Sequence, residues 1–429
     1  MEVGLSSKIP TYSGGLGILA GDMLKAAADA SFPIIGVTLL SKYGYFFQTI
    51  ADGVQVESPV SWRVDDFLKP VEEKVQVEMA GETVTVGAWL CEIFGSDGYM
   101  VPLYFLHTDL PENSKASREI TDRLYGDGQT YRLKQEIILG VGGVRLLKKM
   151  GFTSIEKYHM NEGHSALLAL ELDRELHNTE EVKKRCIFTT HTPVPSGHDK
   201  FVMSMVDELL EKDLHDLLPK EYFEQGELNM TALALDFSGY INGVAKKHTE
   251  ISKTMFPNYP IHSITNGIHT QSWVSPHFAQ LYDKYMPNWR KDPESLRDIF
   301  AVSRPEIWKA HFECKKQIID YANAYSNAGL DYDFFTLGWA RRFTSYKRPD
   351  FLLENVHRLN EIANKVGPIQ IIYSGKSHPY DTEGKELIQK TIYLSKQLDD
   401  KVKMVYLQNY DIYLAKFMVS GVDAWVNTP

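Results

Sequence analysis

Four cationic side chains stand close together in this chain: Arg341, Arg342, Lys347 and Arg348. Phe343, Thr344, Ser345 and Tyr346 lie between them. With 46 basic against 56 acidic residues and a net charge of -10, so dense a knot of positive charge calls for an anionic partner. A guanidinium fork and a mobile ammonium bind phosphate in complementary ways, so two neighbouring phosphate groups are the natural candidates. The alternative is a solvated basic loop that binds nothing. A second anion-binding candidate is the turn Tyr12-Ser13-Gly14-Gly15-Leu16-Gly17, where glycine amides at a helix start can approach negative charge. Taken alone, a plain tight turn explains it as well. His191 and His198 could act as general bases, and either could equally be a hydrogen-bonded loop histidine. His159 and His164 flank Glu162, but not at the spacing of two metal ligands on one helical face.

The elements that must position these groups read as α/β. A short apolar run at 334–337 predicts a buried strand ending at Gly338, just before the basic residues. The glycine turn feeds a predicted helix over 18–30, followed by a strand over 33–40. Alternating β segments fill 43–107, including a hairpin at 75–86 around Ala80-Gly81. Residues 120–149 read as mostly helical, with Gly140, Gly142 and Gly143 permitting close packing. Asn161-Glu162-Gly163-His164, His191 and Asn266 each fall where a strand hands over to a loop or helix. That is the expected site geometry of parallel sheets. Several such ends could meet in one cleft between domains, where pockets tend to form. A polar helical stretch over 295–327 marks the domain boundary, giving an N-terminal α/β domain at 1–326 and a second α/β unit at 327–429.

Length and composition narrow the field. A chain of 429 residues is too long for one ordinary core, which favours two domains. Hydrophobic content of 43% with 24% charged residues describes a soluble globular protein. The acidic balance argues against nucleic acid as main partner. Cys91, Cys186 and Cys314 lie far apart and read as reduced thiols, which points to the cytoplasm. No basic n-region opens the sequence and no apolar run approaches membrane-spanning length, so neither secretion nor membrane insertion is expected.

Several segments together resemble the α-glucan phosphorylases that act on glycogen, starch and maltodextrin, in their shorter microbial branch. They are YSGGLGILAGD (12–22), YRLKQE (131–136), HMNEGHSAL (159–167), THTPVPSGH (190–198), INGVAKKH (241–248), TNGIHTQSW (265–273), ARRFTSYKRPD (340–350) and QNYDIYLA (408–415). All stand in that family's order. The resemblance implies a glycosyltransferase-B-like architecture of two Rossmann-like domains, the second incomplete in this chain. It implies pyridoxal 5'-phosphate as cofactor, an α-1,4-glucan and inorganic phosphate as substrates, and glucose 1-phosphate as product; a homo-oligomer is left open. By similarity Arg342 and Lys347 hold the substrate phosphate, and Arg341 and Lys347 approach the cofactor phosphate. The Gly14 and Gly15 amides add to that positive field, with Gly15 on the cofactor side. Leu16 and Asp127 touch the sugar, Asn266 bonds one of its hydroxyls, and His164 supports the cleft. The backbone carbonyl of His191 sits beside the glucosyl ring, where it could favour an oxocarbenium-like transition state. Trp273 and Tyr410 line the cofactor. No side-chain acid is required, because the substrate phosphate itself protonates the leaving oxygen.

The resemblance also has gaps. The segment carrying the family's Schiff-base lysine, and the glutamate before it, have no match in this sequence, and Met1-Glu2-Val3 enters mid-motif. The expectation is a piece of a phosphorylase, inactive alone and without a covalent cofactor link. The loop around Tyr125-Gly126-Asp127-Gly128 is shorter than in the long regulated members, so control by nucleotide or phosphorylation is not carried over. Two rivals stand beside this reading: a nucleotide-sugar-dependent glucan synthase of the same architecture, and a non-catalytic glucan-binding module.

Overall fold

The structure, a computed structural model, describes residues 1–126, 128–194 and 197–428. The chain forms two compact units, one from Met1–Tyr45 with Ser61–Ile268, the other from Phe46–Val60 with His269–Pro429. Both are mixed α/β structures carrying a parallel sheet.

Unit 1 opens with the helix Gly15–Asp29. The strand Gly36–Leu39 then pairs in parallel with Met100–His107. The long strand Glu82–Phe94 runs antiparallel to Met100–His107 and to Val75–Met79. Ala80 and Gly81 turn the latter hairpin with φ of 53° and 73°, the positive values that a two-residue turn matched to strand twist requires. The helical stretch begins at Gln129, later than the sequence pattern predicts, because Gly126 and Gly128 precede it. It passes through a π-turn at Ile138–Gly142 before resuming at Gly143–Lys149. A Cβ on Gly140 would lie 2.8 Å from the Leu168 amide nitrogen, so glycine there is what lets two helical segments touch.

A second sheet in unit 1 is wholly parallel, with strands Ile261–Ser263, Tyr240–Gly243, Cys186–Thr190 and Tyr158–Asn161 side by side. Met160, Phe188 and Ile241 bury its interior. The polar residues that follow these strands therefore emerge at one edge, the C-terminal edge where α/β sheets bind ligands.

Unit 2 has a four-stranded parallel sheet in the order Val402–Leu407, Ile369–Ser374, Phe335–Ala340, Ala424–Trp425. The Phe335 strand runs two residues past Gly338, so Arg341 is the first residue beyond its end. Ile318, Ile319, Ala322, Ile372 and Met418 bury one face of the sheet, and Trp339, Phe343, Ile371, Tyr373 and Ile388 the other. The long helix Arg304–Ser326, which the sequence reading placed in the first domain, contributes the first three of these side chains to unit 2. No helix among the described residues is long and apolar enough to cross a membrane.

The hairpin Phe47–Ala51 with Val54–Ser58 belongs to unit 2 although it lies early in the chain. Gln48 carries the attachment. Its backbone N–H donates to Asn409 Oδ1 at 3.1 Å, its Oε1 accepts from the Asn409 N–H at 2.7 Å, and its Nε2 donates to the Gly375 carbonyl at 2.9 Å. Gln48→Leu keeps the volume but leaves the Asn409 amide without its acceptor. The expected cost is about 1–3 kcal/mol, read as a lower urea midpoint at unchanged slope.

Candidate functional site

Unit 2 brings its sequence-predicted cations together at a topological switch point. The chain leaves the Phe335 strand for the Ile369 and Val402 strands on one side, then returns to place Ala424–Trp425 on the other. Parallel sheets bind ligands at such a reversal, outside the strand ends. The loop from Arg341 to Arg348 leaves from this point. Arg341 Nη1 donates to the Thr428 carbonyl at 2.6 Å, and Thr428 Oγ1 donates to the Lys347 carbonyl at 2.6 Å, so the segment after the edge strand fixes the basic loop. Phe343 is buried under that loop and its amide donates to the Lys376 carbonyl.

The electrostatics are unusual for a loop. Among the described residues, the charged groups that act on the Lys347 ammonium are the guanidiniums of Arg341 and Arg342. Burial, then these two cations, pushes its pKa down to about 8. An arrangement that depresses a lysine in this way disfavours its own charged form and is relieved by an arriving anion. The sign for stability follows: the unfolded lysine titrates near 10.4, so the unfolded chain binds more protons between that value and about 8. Lys347 therefore destabilises the unliganded protein below about pH 8, and the penalty is lost as pH rises. Lys347→Met is expected to raise the melting temperature at pH 7 by about 2–4 °C, with the gain vanishing near pH 10.5 in a thermal scan series.

Unit 2 also holds Lys376, which the sequence does not single out, and Tyr410 and Trp273, which it does. Lys376 follows the Ile369 strand and donates from Nζ to the Phe46 carbonyl at 2.9 Å, with its pKa pushed down by burial to about 8. Nothing in the run Gly375-Lys376-Ser377 announces that burial. Tyr410 lies just past the Val402 strand, its hydroxyl pushed up by burial and by Asp411. Asp411 caps the helix Ile412–Gly421 through the Leu414 amide at 2.8 Å. Trp273 ends the short helix Thr270–Trp273 and is partly buried.

Unit 1 gathers the remaining candidates along the edge of its parallel sheet. His191 follows the Cys186 strand and its Nε2 meets Asn161 Oδ1, from the neighbouring strand, at 2.5 Å. Burial, then His248 and His159, pushes its pKa down to about 4, so the ring is neutral at physiological pH. His164 is buried, with its Nε2 3.7 Å from Asp199 and its ring edge-on to Tyr125. Tyr125 reaches Glu2 Oε1 at 3.1 Å, and Glu2 Oε2 accepts from the amides of Ser13 and Gly14. The glycine turn is thereby joined to the sheet edge through Glu2 and Tyr125. A Cβ on Gly14 or Gly15 would meet nothing within 4 Å, so open space lies before the turn. The helix behind it is seated closely, since a Cβ on Gly21 would lie 2.0 Å from the Gly4 carbonyl oxygen. Leu16 is partly buried in the helix's first turn. Asn266 is exposed and anchored by its amide to the Val244 carbonyl at 2.9 Å. Asp127 lies outside the described residues.

Several buried polar atoms along this edge have no hydrogen-bond partner among the described residues. They include Ser13 Oγ, Glu162 Oε1, His164 Nδ1, Thr190 Oγ1 and His198 Nε2. Buried polar groups are nearly always satisfied, so such a set marks a place for water or a hydroxyl-rich ligand. Glu162, like Ser13 and Thr190, lies within a motif readable in the sequence that by itself assigns the residue no role.

Comparison with known proteins follows the same lines. A family model described as carbohydrate phosphorylase matches residues 11–88 and 211–425. The chain belongs to the carbohydrate phosphorylase family. It is 36% identical to the maltodextrin phosphorylase of Thermococcus litoralis over 473 aligned positions, covering all of this chain and 56% of that protein. It is 33% identical to the glycogen phosphorylase of Aquifex aeolicus and 32% identical to that of Mycobacterium tuberculosis, covering all of this chain and 69% and 56% of those proteins. This phosphorylase chain thus spans between about half and two thirds of the length of the curated relatives it matches. The matched regions include both the glycine turn and the basic loop.

Proposed function

We propose that this chain is part of an α-glucan phosphorylase that transfers the terminal α-1,4-linked glucosyl unit of a glucan to inorganic phosphate, releasing glucose 1-phosphate. The observation that carries this reading is the basic loop: Arg341, Arg342 and Lys347 cluster at a switch point, and the charged groups that act on Lys347 among the described residues are the two guanidiniums. A nucleotide-sugar synthase also binds phosphate, but the three relatives compared above are named phosphorylases. The finer architecture, two Rossmann-like domains of the glycosyltransferase-B kind with the second incomplete, belongs to the same proposal.

Arg342 and Lys347 hold the substrate phosphate, and preorganised positive charge stabilises what develops there during transfer. The phosphate gives its proton to the departing 4-oxygen of the glucan while one of its oxygens bonds to C1 of the glucosyl unit. Unit 1 supplies the sugar contacts: Leu16 and the Asn266 amide, with the neutral His191 presenting its carbonyl to the ring and His164 supporting the set. Pyridoxal 5'-phosphate would be held at the cation-rich loop of unit 2, with Arg341 and Lys347 as phosphate ligands and Trp273 and Tyr410 as walls. When bound, it supplies a second phosphate group able to exchange a proton with the first. The test is incubation of the intact protein with a short maltodextrin and phosphate. Phosphate-dependent glucose 1-phosphate supports the reading. Activity only with a nucleotide sugar, or binding of maltodextrin without turnover, refutes it.

A further inference from the structure

Glu162 adopts a backbone conformation that glutamate almost never takes. Its φ of 70° and ψ of 175° lie in a region populated essentially only by glycine. Such strain persists only where surrounding contacts over-determine it, and it clusters at functional sites. The contacts here are explicit. The Glu162 amide donates to the Thr189 carbonyl at 2.9 Å, tying the residue to the end of the adjacent strand. Its Oε2 accepts from the His191 N–H at 2.7 Å and from Thr192 Oγ1 at 3.3 Å. The residue is 4% exposed, and its other oxygen, Oε1, has no partner among the described residues.

A buried carboxylate held in a strained conformation to grip the residues on both sides of one carbonyl is a clamp on that carbonyl. The carbonyl is that of His191, between the amide and the hydroxyl that Glu162 accepts from. We propose that Glu162 is a positioning residue for phosphorolysis, fixing the His191–Thr192 segment so that the His191 carbonyl faces the glucosyl ring. The inference rests on the phosphorylase reading above. It requires an acceptor at Oε2, not a charge. Asn161, on the preceding residue, holds the His191 ring separately, so the ring and the backbone of His191 have different anchors.

Two variants of equal length separate the roles. Glu162→Met fills the same space without an acceptor, and Glu162→Gln keeps the acceptor. In the intact enzyme Glu162→Met is expected to lower kcat about 100-fold, the scale of an ångström's misplacement, with KM for phosphate unchanged because the phosphate ligands lie in unit 2. Glu162→Gln is expected to restore kcat to within about tenfold of the parent. Equal kcat in parent and Glu162→Met, an equal loss in both variants, or a loss carried by KM for phosphate overturns the proposal. Should Glu162→Met fail to fold, hydrogen exchange of the parent's His191 amide decides: protection matching the strand residue Thr190 supports the clamp, and free exchange overturns it. Absence of glucose 1-phosphate formation by the parent would instead sink the phosphorylase reading itself, so the two failures are distinguishable.

Discussion

Arg342→Ala in the intact protein is expected to lower phosphate-dependent release of glucose 1-phosphate by about 10²–10³-fold, the usual effect of removing one donor that stabilises transferring charge. The loss should fall on kcat/KM for phosphate, with binding of maltodextrin unchanged. Arg342 is exposed and makes no hydrogen bond to a buried group among the described residues, so the thermal transition should stay in place. Arg341 differs in this respect, because its Nη1 bonds the Thr428 carbonyl at 2.6 Å and its removal would loosen the loop as well as the charge. Arg342 therefore separates chemistry from architecture. Arg342→Lys should recover only part of the loss, since an ammonium cannot make the bidentate contact.

The second large effect is a pH limb in phosphate binding. Lys347 titrates at about 8 in the unliganded protein, because burial and two guanidiniums disfavour its ammonium. The ammonium is the form that attracts phosphate, so affinity is fully present below about pH 8 and falls as pH rises through it. The loss should approach tenfold per pH unit until the ammonium of the complex also gives up its proton. An ordinary exposed lysine would give no such limb below about pH 10. Calorimetric titration with phosphate from pH 7 to 10 reads the effect directly, and Lys347→Met should bind more weakly at pH 7 and show no limb.

Much of the arrangement was readable in the sequence for a physical reason. Buried parallel strands are short apolar runs, and the polar residues directly after them stand at the binding edge whatever the rest of the fold does. Asn161, His191 and Arg341 are each the last residue of such a run or the one just after it. The Ala80-Gly81 hairpin was equally plain, because its turn depends on local φ alone. What stayed hidden depends on long-range partners. Nothing local says that Gln48 will bond Asn409, so the hairpin's place in unit 2 could not be foreseen. The buried Lys376 reflects a neighbour from another segment, the Phe46 carbonyl. Glu162 was hidden for the opposite reason: the conformation it adopts is one that residue type argues against, with Gly163 beside it as the expected site of such a turn.

The central claim is that the Arg341–Arg348 loop is a phosphate site. Its most direct test is ³¹P NMR of inorganic phosphate with the intact protein near pH 7, before any glucan is added. A saturable shift or broadening that disappears in both Arg342→Ala and Lys347→Met is the predicted result. A phosphate signal unmoved by the parent, or moved equally by parent and variants, would contradict it.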